Sequence, residues 1–394
     1  TVARTLAVLC FDFRGYQSTY RFTLPDQESV PVLEHYDSLY RFLLAGTAPD
    51  PADRFQSAEE MADQLYGVLR EVVADQDGHP VPGPSTHFSG PIPTGNGHPD
   101  WRALPRPQAD SDDPAAGFLA TITAADPQQL IEQLAGAPER TLEVELRRAS
   151  GLIALGDWSA VEETLVGLED GDQLDWRGTW YRGVADLARG RPGEANAGFT
   201  AAYHSLPGEL APKLGLAFAY ELSGEPTRAA AWYDVVSRTD PAFTAATFGL
   251  ARCRLQAGDR PGALAAYDRV PESSSAYLEA QTARIRCLAG TGDGATGSVD
   301  ELLTAGSMLE TLPLTGPERA RLQAEVLESA LALVQRGEVL DDGRASLLGH
   351  RFQERDLRFG LERSYRELAR WAPTTPDRIR LVDRANQVRP RTWT

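Results

Sequence analysis

Residues 190–225, GRPGEANAGFTAAYHSLPGELAPKLGLAFAYELSGE, hold one full period of a pattern that runs through the middle of the chain. A glycine followed by a polar residue opens and closes the stretch, at Gly190-Arg191 and Gly224-Glu225. The same signal stands at Gly156-Asp157, Gly258-Asp259 and Gly292-Asp293. All four intervals are 34 residues, the period of a helix-turn-helix unit whose neighbours stack to bury a shared core. Glycine suits the turn because the residue that ends the first helix takes a left-handed backbone conformation in which a Cβ is penalised.

Further positions keep the register. Five residues after the turn comes a small residue (Ala195, Ala229, Ala263), and four later an aromatic (Phe199, Tyr233, Tyr267). Ala149, Gly183, Ala217 and Ala251 supply the small residue of each first helix, and Pro207 and Pro241 end second helices because proline cannot continue them. Cys253 and Cys287 are one repeat apart and are expected as one packing position used twice. Over about residues 141–292 the chain resembles the tetratricopeptide family. The first repeat, with Val161 and Leu165 at the alanine and aromatic positions, and the fifth, which degenerates after Gly294, are expected caps. Helices are predicted beyond them at 316–336, 354–371 and 376–388. The fold expected is mostly α, a repeat solenoid with a different helical segment before it.

Composition divides the chain into three parts, the last beginning at about residue 115. Residues 1–74 alternate apolar helical patterns with short turns. Residues 75–114 hold nine prolines and five glycines, too many backbone breakers to bury a core, and are expected as a linker or a segment draped over a neighbour. Residues 115–310 are assigned to the repeat array and 311–394 to a carboxy-terminal helical cap. His79, His87 and His98 of the linker have no cysteines or paired carboxylates beside them, so they are read as solvated residues and no metal site is expected.

The formal charge of −17 repels phosphate backbones and anionic lipid, which excludes nucleic acid and membrane surfaces as general partners. Lys213 is the only lysine, so 38 of the 39 basic residues are arginine. No apolar run reaches the ~18 residues that span a bilayer, no leader segment is seen, and a cytoplasmic location is expected. The chain starts without Met inside an apolar pattern, so an upstream segment is expected. Three cysteines, without C-x-x-C spacing, make neither a disulfide framework nor a zinc site.

Transferring the tetratricopeptide register places Arg177, Trp180, Phe218, Glu221, Phe248, Arg252 and Arg286 toward the concave face, where aromatics and arginines anchor peptides. The competing reading packs the aromatics between repeats.

Leu43-Leu44-Ala45, Asp50-Pro51-Ala52-Asp53-Arg54-Phe55 and Ala58-Glu59-Glu60 resemble the last conserved block of eukaryotic-type protein kinases, and Thr5 to Phe11 resembles the long central helix of the kinase carboxy-terminal lobe. Leu69-Arg70-Glu71-Val72-Val73-Ala74, Pro207-Gly208-Glu209-Leu210-Ala211-Pro212-Lys213-Leu214 and Leu381 to Pro390 extend the likeness. In the order of its parts the chain is similar to the soluble actinobacterial serine/threonine kinases of the protein kinase G type. That resemblance implies a truncated lobe before the repeats, a buried ion pair for Arg54 whose glutamate partner is absent, and a repeat domain that dimerises and recruits substrate. It also implies an upstream rubredoxin-like module and, for a complete parent, ATP and Mg²⁺.

Phosphoryl transfer needs a Gly-rich loop, a lysine on the phosphates, a catalytic aspartate and a metal-binding aspartate. No H-R-D loop is present, Asp12-Phe13-Arg14-Gly15 interrupts D-F-G with an arginine, and no catalytic, ATP-binding or metal residue is assigned. The expectation is a noncatalytic fragment of such a kinase, whose partners are proteins or substrate peptides, with a homodimer implied. The alternative is a stand-alone repeat scaffold with a degenerate kinase remnant. Residues 1–74 are expected to be poorly ordered or to dock onto the repeats.

Overall fold

The computed structural model is mostly α-helical and describes residues 2–21, 23–92, 97–170, 173–290, 297–338 and 346–390. The chain forms two compact units, residues 1–250 and 251–394. The segment before the repeats packs onto them and shares their unit.

The first unit opens with α1 (Val2–Cys10), α2 (Pro31–His35), α3 (Asp37–Thr47) and α4 (Ala58–Asp77). After the linker come α5 (Ala116–Leu119) and α6 (Pro127–Leu134). The helix pairs follow: α7 (Leu142–Leu155) with α8 (Trp158–Val166), α9 (Trp176–Ala188) with α10 (Pro192–Ser205), and α11 (Leu210–Leu222) with α12 (Pro226–Thr239). The boundary between units lies within α13 (Thr244–Gln256). The second unit continues with α14 (Arg260–Tyr267), α15 (Tyr277–Ala289), α16 (Val299–Thr311), α17 (Gly316–Gln335), α18 (Glu354–Trp371) and α19 (Thr375–Val388).

Each repeat turn is the same small device. Gly156, Gly190, Gly224 and Gly258 have φ of 75°, 74°, 77° and 74°. In each case the next residue's N–H donates to a carbonyl five positions back: Asp157 to Leu152 (3.1 Å), Arg191 to Asp186 (2.8 Å), Glu225 to Tyr220 (2.9 Å) and Asp259 to Arg254 (2.8 Å). This bond satisfies carbonyls left over at the helix end. The second helix then starts at once. Asp157 and Asp259 cap theirs by accepting from the N–H of Ala160 and Gly262, while Pro192 and Pro226 take the first helical position, where a missing N–H costs nothing. Gly292 lies outside the described residues; α15 closes earlier, at Gly290 with φ 73°.

The periodic small and aromatic residues meet as wedge and notch. Phe199 is fully buried over Gly183 and Gly215, where an added Cβ would come within 2.9 and 2.7 Å of its ring. Tyr233 lies over Gly249, with 2.4 Å for the same test. Ala195, Ala229 and Ala263 are likewise fully buried, so helices approach closely and the rings fill the space between successive pairs.

The amino-terminal segment has a core of its own, built on Ala3, Ala7, Leu33, Phe42, Leu43 and Val68. Val2 and Leu9 of α1 remain 62% and 78% exposed. Of the two expectations for this segment, docking is the outcome: α3 packs on α10 and α4 on α12. In the second unit, α16 begins with a reciprocal cap between Ser298 and Glu301, and α17, α18 and α19 close around Leu322, Val326, Leu357, Leu361 and Leu368. Among the described residues no helix is long and apolar enough to cross a membrane.

Candidate functional site

Of the seven residues that the repeat register turns toward a groove, the three aromatics are buried side chains. Trp180 and Phe218 are each 1% exposed and Phe248 is fully buried, because the close approach of the helices makes large apolar side chains at these positions interhelical core. The charged members already hold partners. Arg177 pairs with Glu143 and, at 2.8 Å, with Asp175. Burial opposes its charge, but the two carboxylates outweigh that and hold its pKa above the ordinary value. Glu221 accepts from the Tyr233 hydroxyl at 2.6 Å, and that ring also touches Phe218. In the second unit Arg286 Nε donates to Glu325 at 2.8 Å, and Arg252 is half-buried.

Arg54 also departs from expectation. It is exposed, and its guanidinium donates to the carbonyls of Ala48 (2.6 Å) and Pro49 (2.9 Å). Water and these carbonyls solvate the charge, so the penalty of a buried unpaired cation does not arise.

The strongest polar constellation joins the amino-terminal segment to the repeats. Lys213, in the first turn of α11, is fully buried and donates to Glu71 of α4 and to the carbonyls of Pro207 (2.7 Å) and Glu209 (3.2 Å). Ser38 of α3 donates to the other Glu71 oxygen at 2.5 Å and lies 2.9 Å from the Tyr203 hydroxyl of α10. Burial pushes Glu71 upward in pKa against the pull of Lys213. Alongside, backbone meets backbone: a Cβ on Gly67 would lie 2.2 Å from the Gly208 carbonyl oxygen, and the Gly208 N–H donates to Gln64 Oε1 at 2.9 Å. Asp75 Oδ1 pairs with Arg238 of α12 at 2.7 Å, and its Oδ2 lies 2.7 Å from His35. Hydrogen bonding from His35 is the main reason the Asp75 carboxyl sits below its usual range.

Beside this joint lies a cleft of about 650 Å³, lined by Arg41, Arg54, Phe55, Glu60, Trp176 and His204 among others. Arg41 Nε pairs with Asp37 at 2.6 Å, and Arg41 Nη1 lies 2.8 Å from His204 Nε2. Loss of part of its water shell, then the adjacent guanidinium, holds the His204 pKa below 6.5. Neutral His204 therefore contributes stability above pH 6.5 that is lost as pH falls through its lower folded value. His204→Gln is expected to show a smaller drop in urea midpoint between pH 8 and pH 5.5 than the parent; an identical drop would show that the ring does not titrate against Arg41.

The linker is a strap held against the same face. The Val81 N–H donates to the Thr239 carbonyl (3.0 Å), and Arg70 Nε donates to the Val81 carbonyl (2.7 Å). Phe88 is 2% exposed, its ring 5.2 Å from that of Trp176 and 4.9 Å from that of Trp180. His87, expected as a solvated linker residue, is half-buried, 3.2 Å from Glu209 and edge-on to Trp176.

Sequence reasoning offered a draped linker as one of two outcomes, and that is the one seen, but it named none of the residues of the buried joint as partners and did not foresee Phe88 as the anchor of the strap. One signal was available: a chain that otherwise uses arginine throughout keeps a single lysine, in a motif that also carries Pro207-Gly208. The two stretches quoted as separate resemblances, 69–74 and 207–214, prove to be the two sides of one contact.

The profile of the protein kinase G tetratricopeptide repeat family matches residues 100–392. The chain is 37% identical over 428 aligned positions to the serine/threonine-protein kinase PknG of Mycobacterium leprae and 36% identical to that of Mycolicibacterium smegmatis. Each alignment takes in 99% of this chain and 55% of the relative, so the chain spans about half the length of these kinases. The C-terminal part of a TPR repeat-containing protein from Cytophaga hutchinsonii superposes loosely, with a TM-score of 0.44 at 12% identity over 64% of this chain and 92% of that one. With three quarters of its residues inside the profile, this chain belongs to the protein kinase G tetratricopeptide repeat family.

Proposed function

We propose that the chain is the carboxy-terminal part of a cytoplasmic serine/threonine kinase of the protein kinase G type, noncatalytic as it stands. Its repeat array binds protein, supports homodimerisation and recruits substrate to the kinase. ATP and Mg²⁺ belong to the complete parent. The observation that carries this reading is the buried joint between the kinase-like segment and the repeats. Lys213, Glu71, Ser38 and Tyr203 tie the two together through direct hydrogen bonds between buried groups, which supports a lobe held in fixed register with the array. The sole lysine of the chain is used up in that joint, which leaves none for phosphates.

The reading is tested on the whole chain in two ways. Calorimetric titration with ATP and Mg²⁺ is expected to show no binding; a saturable isotherm would overturn the noncatalytic assignment. Sedimentation over a hundredfold concentration range is expected to show a monomer–dimer equilibrium. A monomer throughout would remove dimerisation from this chain's role.

A further inference from the structure

We propose that the face of the first unit around Trp176 and Trp180 is a peptide site for extended, proline-flanked segments anchored by one aromatic ring, held closed in cis by residues 80–91 of this chain. The proposal rests on the repeat array being a protein-binding module and is independent of any kinase lineage.

Residues 81–88 have the form of a bound peptide rather than of a free connector. Val81, Gly83 and Ser85 are half-buried while Pro82 and Pro84 between them are exposed, the alternation of an extended strand lying on a surface; the chain then bends at Thr86 and His87, where the Ser85 hydroxyl accepts from the N–H groups of His87 (3.0 Å) and Phe88 (2.8 Å). Recognition of proline-rich segments by aromatic surfaces takes this form: the prolines preset the extended backbone, so little entropy is lost on docking. One ring enters the site. Phe88 lies between the two indoles, and Trp180 is backed in turn by Phe199 of α10, 5.2 Å away. Polar contacts at either end set the direction: the Val81 N–H on the Thr239 carbonyl, and His87 beside Glu209. The anchor is presented from a narrow base, where Ser89 donates to the Arg106 carbonyl (2.8 Å) and Gln108 to the His87 carbonyl (2.8 Å).

Trp176 connects this occupied site to open space, because it touches His87 and Phe88 and also lines the 650 Å³ cleft. A competing segment enters through the cleft and meets Trp176 first. The resident strap is tethered, so its effective concentration is on the order of millimolar. A ligand of equal intrinsic affinity is therefore excluded until the strap is loosened or the ligand adds contacts in the cleft.

The test uses the full chain and a fluorescein-labelled peptide of residues 80–91, followed by anisotropy. The parent chain is expected to leave the peptide unbound up to about 1 mM, near the effective concentration of the tether. Phe88→Ala vacates the anchor position and is expected to bind it at least tenfold more tightly. The same peptide carrying Phe88→Ala is expected to bind neither protein. Circular dichroism checks that the variant is folded; His87→Ala, which loosens the strap at a half-buried position, is the second variant and is expected to bind at an intermediate level. Equal binding by the parent and the variants, or binding by none of the folded proteins, overturns the proposal. Neither result bears on the ATP titration or the sedimentation, so the two readings fail separately.

Discussion

Lys213→Ala is expected to destabilise the joint between α4 and the repeats by about 3–5 kcal/mol, the usual cost of removing one partner from a buried pair. The loss should appear as faster hydrogen exchange across Ala58–Asp77 and as a lower urea midpoint. The cost arises mainly from what is left behind. Glu71 stays between α3, α4 and the Tyr203 ring with Ser38 as its remaining donor, and a carboxylate there has lost its paired cation, with only the nearby charge of Arg70 still acting on it. Burial already raises the Glu71 pKa while Lys213 opposes it; without the lysine it rises further. A carboxyl whose folded pKa lies above the unfolded one favours the folded state below the unfolded value and loses that advantage as pH rises through the folded value. The variant is therefore expected to be closer to the parent at pH 5 than at pH 8. Adding Glu71→Gln should recover much of the loss at pH 8, since a neutral amide needs no counterion. If Lys213→Ala unfolds like the parent, the pair does not hold the joint.

Gly67→Leu is expected to be the second severe change. The obstacle is the backbone of Gly208, with the carbonyl oxygen 2.2 Å and the Cα 2.7 Å from where the new Cβ would stand. A flexible side chain can turn away, but a peptide group in a turn cannot. Overpacking costs typically ~1–3 kcal/mol and occasionally more, and here the upper end is expected because separation of α4 from the turn also breaks the Gln64–Gly208 hydrogen bond. Gly90→Ala is the control, with nothing within 4 Å of the added methyl. Thermal unfolding followed with limited proteolysis of the linker reads both variants. A melting temperature for Gly67→Leu equal to that of the control would mean that α4 does not approach the repeats this closely.

The joint also accounts for a glycine that serves no turn. Gly67 lies inside a 20-residue helix, where glycine costs roughly 1 kcal/mol relative to alanine. That local cost is offset by the contact it permits with Gly208. A reading of α4 in isolation finds only a weak helix former; the neighbour supplies the reason.

Much of the array was legible because its signals are local. A turn glycine, the polar residue after it, the small residue five on and the aromatic four beyond are set within one repeat, and their recurrence separates them from chance. Carboxy-terminal helices predicted at 316–336, 354–371 and 376–388 fall at Gly316–Gln335, Glu354–Trp371 and Thr375–Val388 for the same reason. The three aromatics Trp180, Phe218 and Phe248 follow the competing reading and are buried, because periodicity tells that they recur along the repeats but not which side of a helix is covered. Trp180 is covered by Phe88, from a linker whose composition shows only that it builds no core of its own.

The sequence by itself determined the repeat, its turns at Gly156, Gly190, Gly224 and Gly258, the wedges Phe199 and Tyr233 and the notch at Gly183, since those depend on backbone conformation and spacing within 34 residues; the notches at Gly215 and Gly249 emerged only from the packing. Only the tertiary structure decided where residues 1–92 go. Glu71 and Lys213 stand 142 positions apart, and His87 and Glu209 stand 122 apart. A contact at such separation leaves no period in the chain, and it forms because a buried charge and an open aromatic face each require a partner that folding alone brings within reach.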